Sequence, residues 1–371
     1  MLARGHLRFI RVGNPAKVRS KGCVLLIVYQ DPGQSWGSIT HMVRLCAELF
    51  EAELLLLKQK TGVGAVQKLL ALVPRRRGSE ICLVVTPGPE HLLASLLEVE
   101  GWKRRFAQVA AWVIDGFFTQ HISRVVRYGG MFDQFFITTD EDVDAWQKLT
   151  GRPTSFIPIG SDVLHLGTPN QMRPVDLLRV GREPAEWDDD AMTETAARAK
   201  GLSFQGRPTM LADPIENYRM LMRKYGESKF LLAFSNTVDS SFYTHPTRAY
   251  LTTRWTDGLA AGAVIAGIAP KSPTADRLLW PAATLDFGGT DRDEGLSILA
   301  AAVKSWRPEQ ATANYTMAME RLDWRWRFAA IAAALGESPV RLATELEQLK
   351  REIAKRRYCV EAEGSVHLLH L

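Results

Sequence analysis

Two successive series of short apolar runs, separated by helical patterns, constrain the fold of this chain more than anything else in it. In the first series the runs fall at residues 23–29, 53–57, 81–86, 109–114, 134–138 and 154–158. Between them, residues 38–50, 90–99, 120–128 and 141–150 carry helical spacing of apolar positions. Strand-length runs alternating with helices predict parallel strands joined by right-handed crossovers. A polar, turn-rich stretch at 166–174 follows and reads as a linker. A second series then places strands at 175–180, 202–204, 229–234, 263–267 and 283–287, with helices near 188–200, 214–225, 246–260, 273–279 and 293–306. The expected fold is α/β, with two Rossmann-like domains at 1–165 and 175–337 and a C-terminal helix and tail at 338–371. The tail helix has its start signal in Ser338-Pro339 and one apolar stripe of Leu342, Leu346, Leu349 and Ile353.

Composition enters where it excludes. The 371 residues, 46% hydrophobic and 23% charged, suit a globular protein of two ordinary domains. The four cysteines (Cys23, Cys46, Cys82, Cys359) are far apart and form no CxxC pair, so neither a zinc site nor a disulfide framework is expected. Reduced cysteines point to a cytoplasmic location. Residues 1–22 hold six Lys or Arg and no acid, but no long apolar region follows, so no secretory signal is read. The net charge of +5 is concentrated at 4–21, Arg75-Arg76-Arg77, Lys103-Arg104-Arg105 and Lys355-Arg356-Arg357. These clusters suggest peripheral contact with anionic lipid at the inner membrane face. Nucleic acid is not expected as a partner, because no recognition motif or interleaved aromatics accompany them.

In doubly wound sheets ligands bind beyond the carboxyl ends of the strands, so polar residues there are the candidates. The loop after the first strand offers Asp31, Gly33, Ser35, Trp36 and Gly37. Its spacing is not GxGxxG, and Ser38 also reads as a helix N-cap. Asp115 ends an apolar run and precedes Gly116, so a carboxylate there could take a proton from a hydroxyl if burial raised its pKa. Asp140, Glu141, Asp142 and Asp144 are accounted for by capping and the helix dipole. In Val180-Gly181-Arg182 a guanidinium follows a strand-ending glycine and could grip phosphate oxygens. Pro246 reads as a helix start, whose free N–H groups, with His245 and Arg248, would favour a diphosphate. Farther along that helix Arg254 and Asp257 share a face, as an ion pair or as ligand contacts, and Gly258 would let a ligand approach the backbone. Trp36 and Trp255 are placed to stack on a sugar or base. The histidines show no metal spacing, and 188–190 reads as a helix start rather than a metal motif.

The stretch 247–267, with an acidic residue before a small-small-Gly turn (Ala260-Ala261-Gly262) and then an apolar strand, resembles the donor-binding helix of the group 1 glycosyltransferases. Two departures are plain: Asp257 replaces the usual Glu, and Ala249 stands where another Glu is common. Val180-Gly181-Arg182 resembles the element opening the family's second domain, with Glu183 and Glu186 where a Lys is frequent. The resemblance implies the GT-B arrangement, two Rossmann-like domains facing a central cleft with a C-terminal helix crossing between them. It implies that Asp257 binds ribose hydroxyls, that Arg182 contacts the donor diphosphate and that the 31–37 loop faces phosphates and acceptor. The implied activity is a metal-independent, hexosyltransferase-like transfer from a nucleotide-diphosphate sugar to a saccharide or glycolipid, in bacterial surface polysaccharide assembly. No cofactor beyond the donor is expected, and Asp115 or Asp31 would activate the acceptor. A sugar-nucleotide epimerase and a non-catalytic nucleotide-sugar-binding protein are the alternatives.

Overall fold

The computed structural model describes residues 9–10, 24–58, 62–76, 78–128, 130–238 and 244–368. Outside them lie the basic residues of 4–21, Cys23, Arg77 and residues 239–243 before His245. The chain forms two compact units: Met1–Pro158 with Phe328–Leu342, and Ile159–Arg327 with Ala343–Leu371.

The first unit holds seven strands: β1 (Phe9–Ile10), β2 (Leu25–Asp31), β3 (Glu53–Lys58), β4 (Glu80–Thr86), β5 (Phe106–Val113), β6 (Gln134–Ile137) and β7 (Thr154–Phe156). Their order is β1-β3-β2-β4-β5-β6-β7. β1 pairs antiparallel with β3 at the edge, and the other neighbours are parallel. The central strands are continuous apolar runs because both faces are covered: Leu83, Val84, Ala110, Ala111 and Trp112 have no exposed surface. Phe328 returns to this core, edge-on to Phe50 at 6.4 Å and to Trp112 at 6.5 Å.

The second unit has β8 (Val175–Arg179), β9 (Phe204–Gln205), β10 (Ser228–Phe234), β11 (Val264–Ile268) and β12 (Thr284–Asp286), all parallel, in the order β12-β11-β10-β8-β9. Strand periodicity splits its core in two. Leu178, Leu231, Ala233 and Ile265 enter one cluster, and their neighbours Leu177, Phe230, Leu232 and Val264 enter the other. The tail helix, Val340–Leu368, packs Leu349 and Ile353 into the first of these clusters.

The α/β class with two Rossmann-like sheets is as the sequence predicts, and every predicted strand is present within a few residues. Three local readings are corrected. Residues 166–174 are not a free linker, because Arg173, only 5% exposed, ties them into the second unit. Its guanidinium donates to the carbonyls of Asn170, Tyr225, Ser228 and Ala261, closing two helix C-termini. The helix read from Pro246 begins instead at Thr253. A helix at Ala65–Ala71 was not foreseen.

Candidate functional site

Strand order reverses direction between β2 and β4 in the first unit and between β8 and β10 in the second. In doubly wound sheets such a reversal is where ligands bind, beyond the carboxyl ends of those strands. The two are described in turn.

In the first unit, Asp31 closes β2, and its Oδ1 accepts from the Gly33 N–H at 2.9 Å. Gly33 has φ +105°, and a Cβ there would meet nothing within 4 Å. The glycine is therefore needed for its backbone angle rather than for close approach. The loop curls into one 3₁₀ turn, Gln34–Trp36, with Ser35 exposed and Trp36 half-buried. Gly37 is buried as the first residue of the helix Gly37–Leu49, and Trp36 takes the cap position expected of Ser38.

Beside it, the turns after β4 and β5 bring four titratable groups together. Asp115 N–H donates to the Pro87 carbonyl at 2.7 Å, which fixes one turn against the other. Glu90 Oε1 lies 3.4 Å from His91 Nε2, and its Oε2 lies 3.5 Å from His121 Nδ1. Gly88 permits this fold-back, since a Cβ there would sit 2.6 Å from the Glu90 carboxylate. His121 stacks on Phe118, with centroids 5.2 Å apart and planes 8° apart. Asp115 is half-buried at the end of its apolar strand. Desolvation first, and the charge of Glu90 second, push its carboxyl up to about 7. A carboxylate so poised is suited to take a proton from a hydroxyl near neutral pH.

In the second unit, Gly181 (φ +89°) and the exposed Arg182 follow β8. Arg254 holds the turn: its Nη1 donates to the carbonyls of Val180 at 2.8 Å and Arg182 at 3.2 Å, and pairs with Glu183. Glu183 has no exposed side-chain surface, and burial pushes its carboxyl up to about 7 although Arg254 and Arg179 pull it down. Arg254 therefore clamps the strand-Gly-Arg turn and presents Arg182. His245 Nδ1 accepts from the N–H groups of Thr247 at 3.3 Å and Arg248 at 3.2 Å. The side chain thus occupies the N–H groups that a helix start at Pro246 would have offered to a diphosphate. Asn236, just past β10, holds the same loop through the carbonyls of His245 and Arg248 and the N–H of Tyr250. Arg248 is half-buried there.

Asp257 and Gly258 lie in the interior instead of at the strand ends. Asp257 is 3% exposed and accepts from Ser161 Oγ at 2.6 Å and Tyr218 OH at 2.9 Å. Burial pushes its carboxyl up to about 7 against those two hydrogen bonds. It is not ion-paired with Arg254. What approaches Gly258 is the sheet: a Cβ there would meet Ile265 Cδ1 at 2.6 Å and Leu231 Cδ2 at 2.7 Å. Trp255, 2% exposed, is core and is not placed for stacking. Around Asp257 runs a buried polar network that sequence reasoning missed. Arg325, fully buried, bonds Asp162 at 2.8 Å, Asp323 at 3.1 Å and Glu345 at 2.6 Å. Asp323 also accepts from Leu164 N–H at 2.9 Å. The one sequence signal was charge inside an aromatic run, Asp323-Trp324-Arg325-Trp326-Arg327.

A separate cleft of about 430 Å³ opens beyond β11 and β12, lined in part by Gly267, Lys271, Asp276, Trp280 and Asp286. It contains none of the residues singled out from the sequence. Among the described residues no cluster of His, Cys, Asp and Glu could hold a metal ion.

No family model and no curated protein sequence matches the chain. Among solved structures it is similar to a UDP-forming α,α-trehalose-phosphate synthase from Burkholderia xenovorans. The identity is 12% and the TM-score 0.46, over 90% of this chain and 100% of that one. It is also similar to TarM, at 8% identity and a TM-score of 0.44, over 68% of this chain and 54% of that one. A point mutant of S. aureus TarM, in complex with Fondaparinux, α-GlcNAc-glycerol and UDP, gives 8% and 0.40, over 67% and 54%. The chain thus spans about half the length of TarM. The class rests on the strand orders themselves: the chain is a two-unit α/β protein with a Rossmann-like switch point in each unit.

Proposed function

We propose that the chain is a GT-B glycosyltransferase, which moves a sugar from a nucleotide-diphosphate donor to a saccharide or glycolipid acceptor. The observation that carries this reading is Asp115. It stands in the turn after β5, bonded to the turn after β4 beside the first unit's switch point, half-buried, with a carboxyl poised near neutrality beside Glu90. In this reading the first unit receives the acceptor, Asp115 takes the hydroxyl proton, and Glu90 with His121 sets its electrostatics. The second unit receives the donor, with Arg182 and Arg248 against the diphosphate. Arg254 acts as a positioning residue through the Gly181–Glu183 turn. Asp257 supports the donor site from within, holding Tyr218 and Ser161, and contacts a ribose only if those hydroxyls yield to it. The chemistry asked of the protein is charge stabilisation of a leaving diphosphate by guanidinium groups, together with proton removal from the acceptor.

The basic clusters support a location at the anionic inner face of a bacterial membrane, where surface polysaccharides and glycolipids are assembled. Calorimetry with uridine, guanosine, adenosine and thymidine diphosphates tests the donor half of the reading. At least one should bind, and Arg182→Ala should weaken it by roughly tenfold, the worth of one charge-assisted contact. If none binds, the glycosyltransferase reading fails. Binding without turnover on any acceptor would favour a nucleotide-sugar-binding protein instead.

A further inference from the structure

The helix Ala65–Ala71 presents its apolar side away from the first unit's core. Val66, Leu69 and Leu70, at i, i+3 and i+4, are 70%, 67% and 57% exposed, and Leu72 and Val73 just beyond are 47% and 53% exposed. Only Ala71 of the helix is buried. Five large aliphatic side chains bared within eight residues form a patch, unlike the singly scattered apolar residues of an ordinary surface. The charge around it is one-sided: between Glu53 and Glu80 the chain has six Lys or Arg and no acid. Lys68, Arg76 and Arg104 are exposed. The basic turn at 103–105 lies against the patch. Lys103 Nζ donates to the carbonyls of Leu70 and Val73, and Arg76 N–H donates to the Lys103 carbonyl at 2.8 Å. Arg75 is different, since it is committed to Asp133 at 2.6 Å and belongs to the fold.

We propose that this segment is a bilayer-insertion element. Leu69, Leu70 and their aliphatic neighbours enter the boundary between headgroups and acyl chains, while Lys68, Arg76 and Arg104 meet the phosphates of anionic lipid. A segment with six cations and no acid between Glu53 and Glu80 matches a polyanionic surface better than the mixed-charge rim of a protein interface. The inference rests on the membrane location proposed above and adds apolar insertion to the electrostatic attraction.

The test is flotation of the full chain with vesicles of phosphatidylcholine alone and of phosphatidylcholine mixed with phosphatidylglycerol. The wild type should float with the mixed vesicles only. Lys68→Ser/Arg76→Ser should weaken this by roughly tenfold at low salt. Leu69→Ser/Leu70→Ser should weaken it by at least about tenfold at any salt, because apolar transfer is not screened. Both leucines are exposed, so thermal melting should match the wild type. Hydrogen exchange over residues 62–76 should slow on mixed vesicles in the unaltered protein. No flotation at low salt overturns the proposal. Unchanged flotation of the leucine variant overturns insertion while leaving electrostatic docking. Self-association or protein capture that the leucine variant abolishes, without vesicle binding, gives the patch to a protein. Nucleotide binding measured on the same samples keeps a failure here distinct from a failure of the donor reading.

Discussion

Asp257→Asn separates an internal anchor from a titrating ligand group. Asp257 is 3% exposed and accepts two hydroxyl hydrogen bonds, and its carboxyl is pushed from an ordinary 3.8 up to about 7, first by burial. The native state therefore holds this proton where the unfolded chain has released it. Stability from this group is fully present below the unfolded value near 4 and is lost as pH rises through about 7. Across pH 5 to 7 the loss should be about 2–3 kcal/mol, at about 1.4 kcal/mol per pH unit. Asparagine can accept from the same two hydroxyls and does not titrate. Urea denaturation of both proteins at pH 5, 6, 7 and 8 should show the variant gaining on the wild type by that amount, then a constant difference above pH 7. Parallel stability curves would refute the reasoning, because they would mean that Asp257 is already ionised at pH 5. Asp257→Ala should instead lose stability at every pH, since Ser161 and Tyr218 each lose a buried hydrogen bond, at about 1 kcal/mol apiece.

Gly262→Ala should lower stability by roughly 1–3 kcal/mol in thermal unfolding. Its φ is +79°, and a Cβ would sit 2.5 Å from Arg173 Nη2 and 2.8 Å from the Ala311 carbonyl. Arg254→Ala leaves the buried Glu183 carboxyl without its partner. It should destabilise the protein by a few kcal/mol, and any donor constant measured in stable conditions should rise. Glu90→Gln removes the charge that helps hold the Asp115 carboxyl up. The pH at which activity rises should move down, and an unmoved pH profile would take Glu90 out of the account.

The strands were legible because a parallel strand covered on both faces must be apolar along its length, as Ile81–Val85 and Val109–Val113 are. The position of Asp115 was legible for the complementary reason, as a carboxylate just past the end of such a run. The second-unit site was less so. Asp257, Gly258 and Trp255 carry the right residue types for a ligand, but helix-to-sheet packing also demands a small residue against Ile265 and Leu231, and spacing alone does not tell the two apart. The Pro246 start signal did not become a helix because Asn236 Nδ2 takes the carbonyls of His245 and Arg248 that helical bonds would use, and its Oδ1 takes the Tyr250 N–H. Glu90, His121 and the Arg325 network come together only through tertiary folding. Arg325 and Asp162 are 163 positions apart in the chain, a pairing that no local pattern announces.

Turnover of Asp115→Asn tests the central claim most directly. With a donor chosen by calorimetry, released nucleoside diphosphate is followed across pH 5 to 9 in the presence of acceptor saccharides and glycolipids, with Asp31→Asn as control. Wild-type activity should rise through about pH 7, where the Asp115 carboxyl gives up its proton. Asp115→Asn keeps the shape and loses the basicity, so its turnover should fall by roughly 10²–10⁴-fold while donor affinity stays unchanged. Near-normal turnover in Asp115→Asn, above all if Asp31→Asn is impaired instead, would contradict the account.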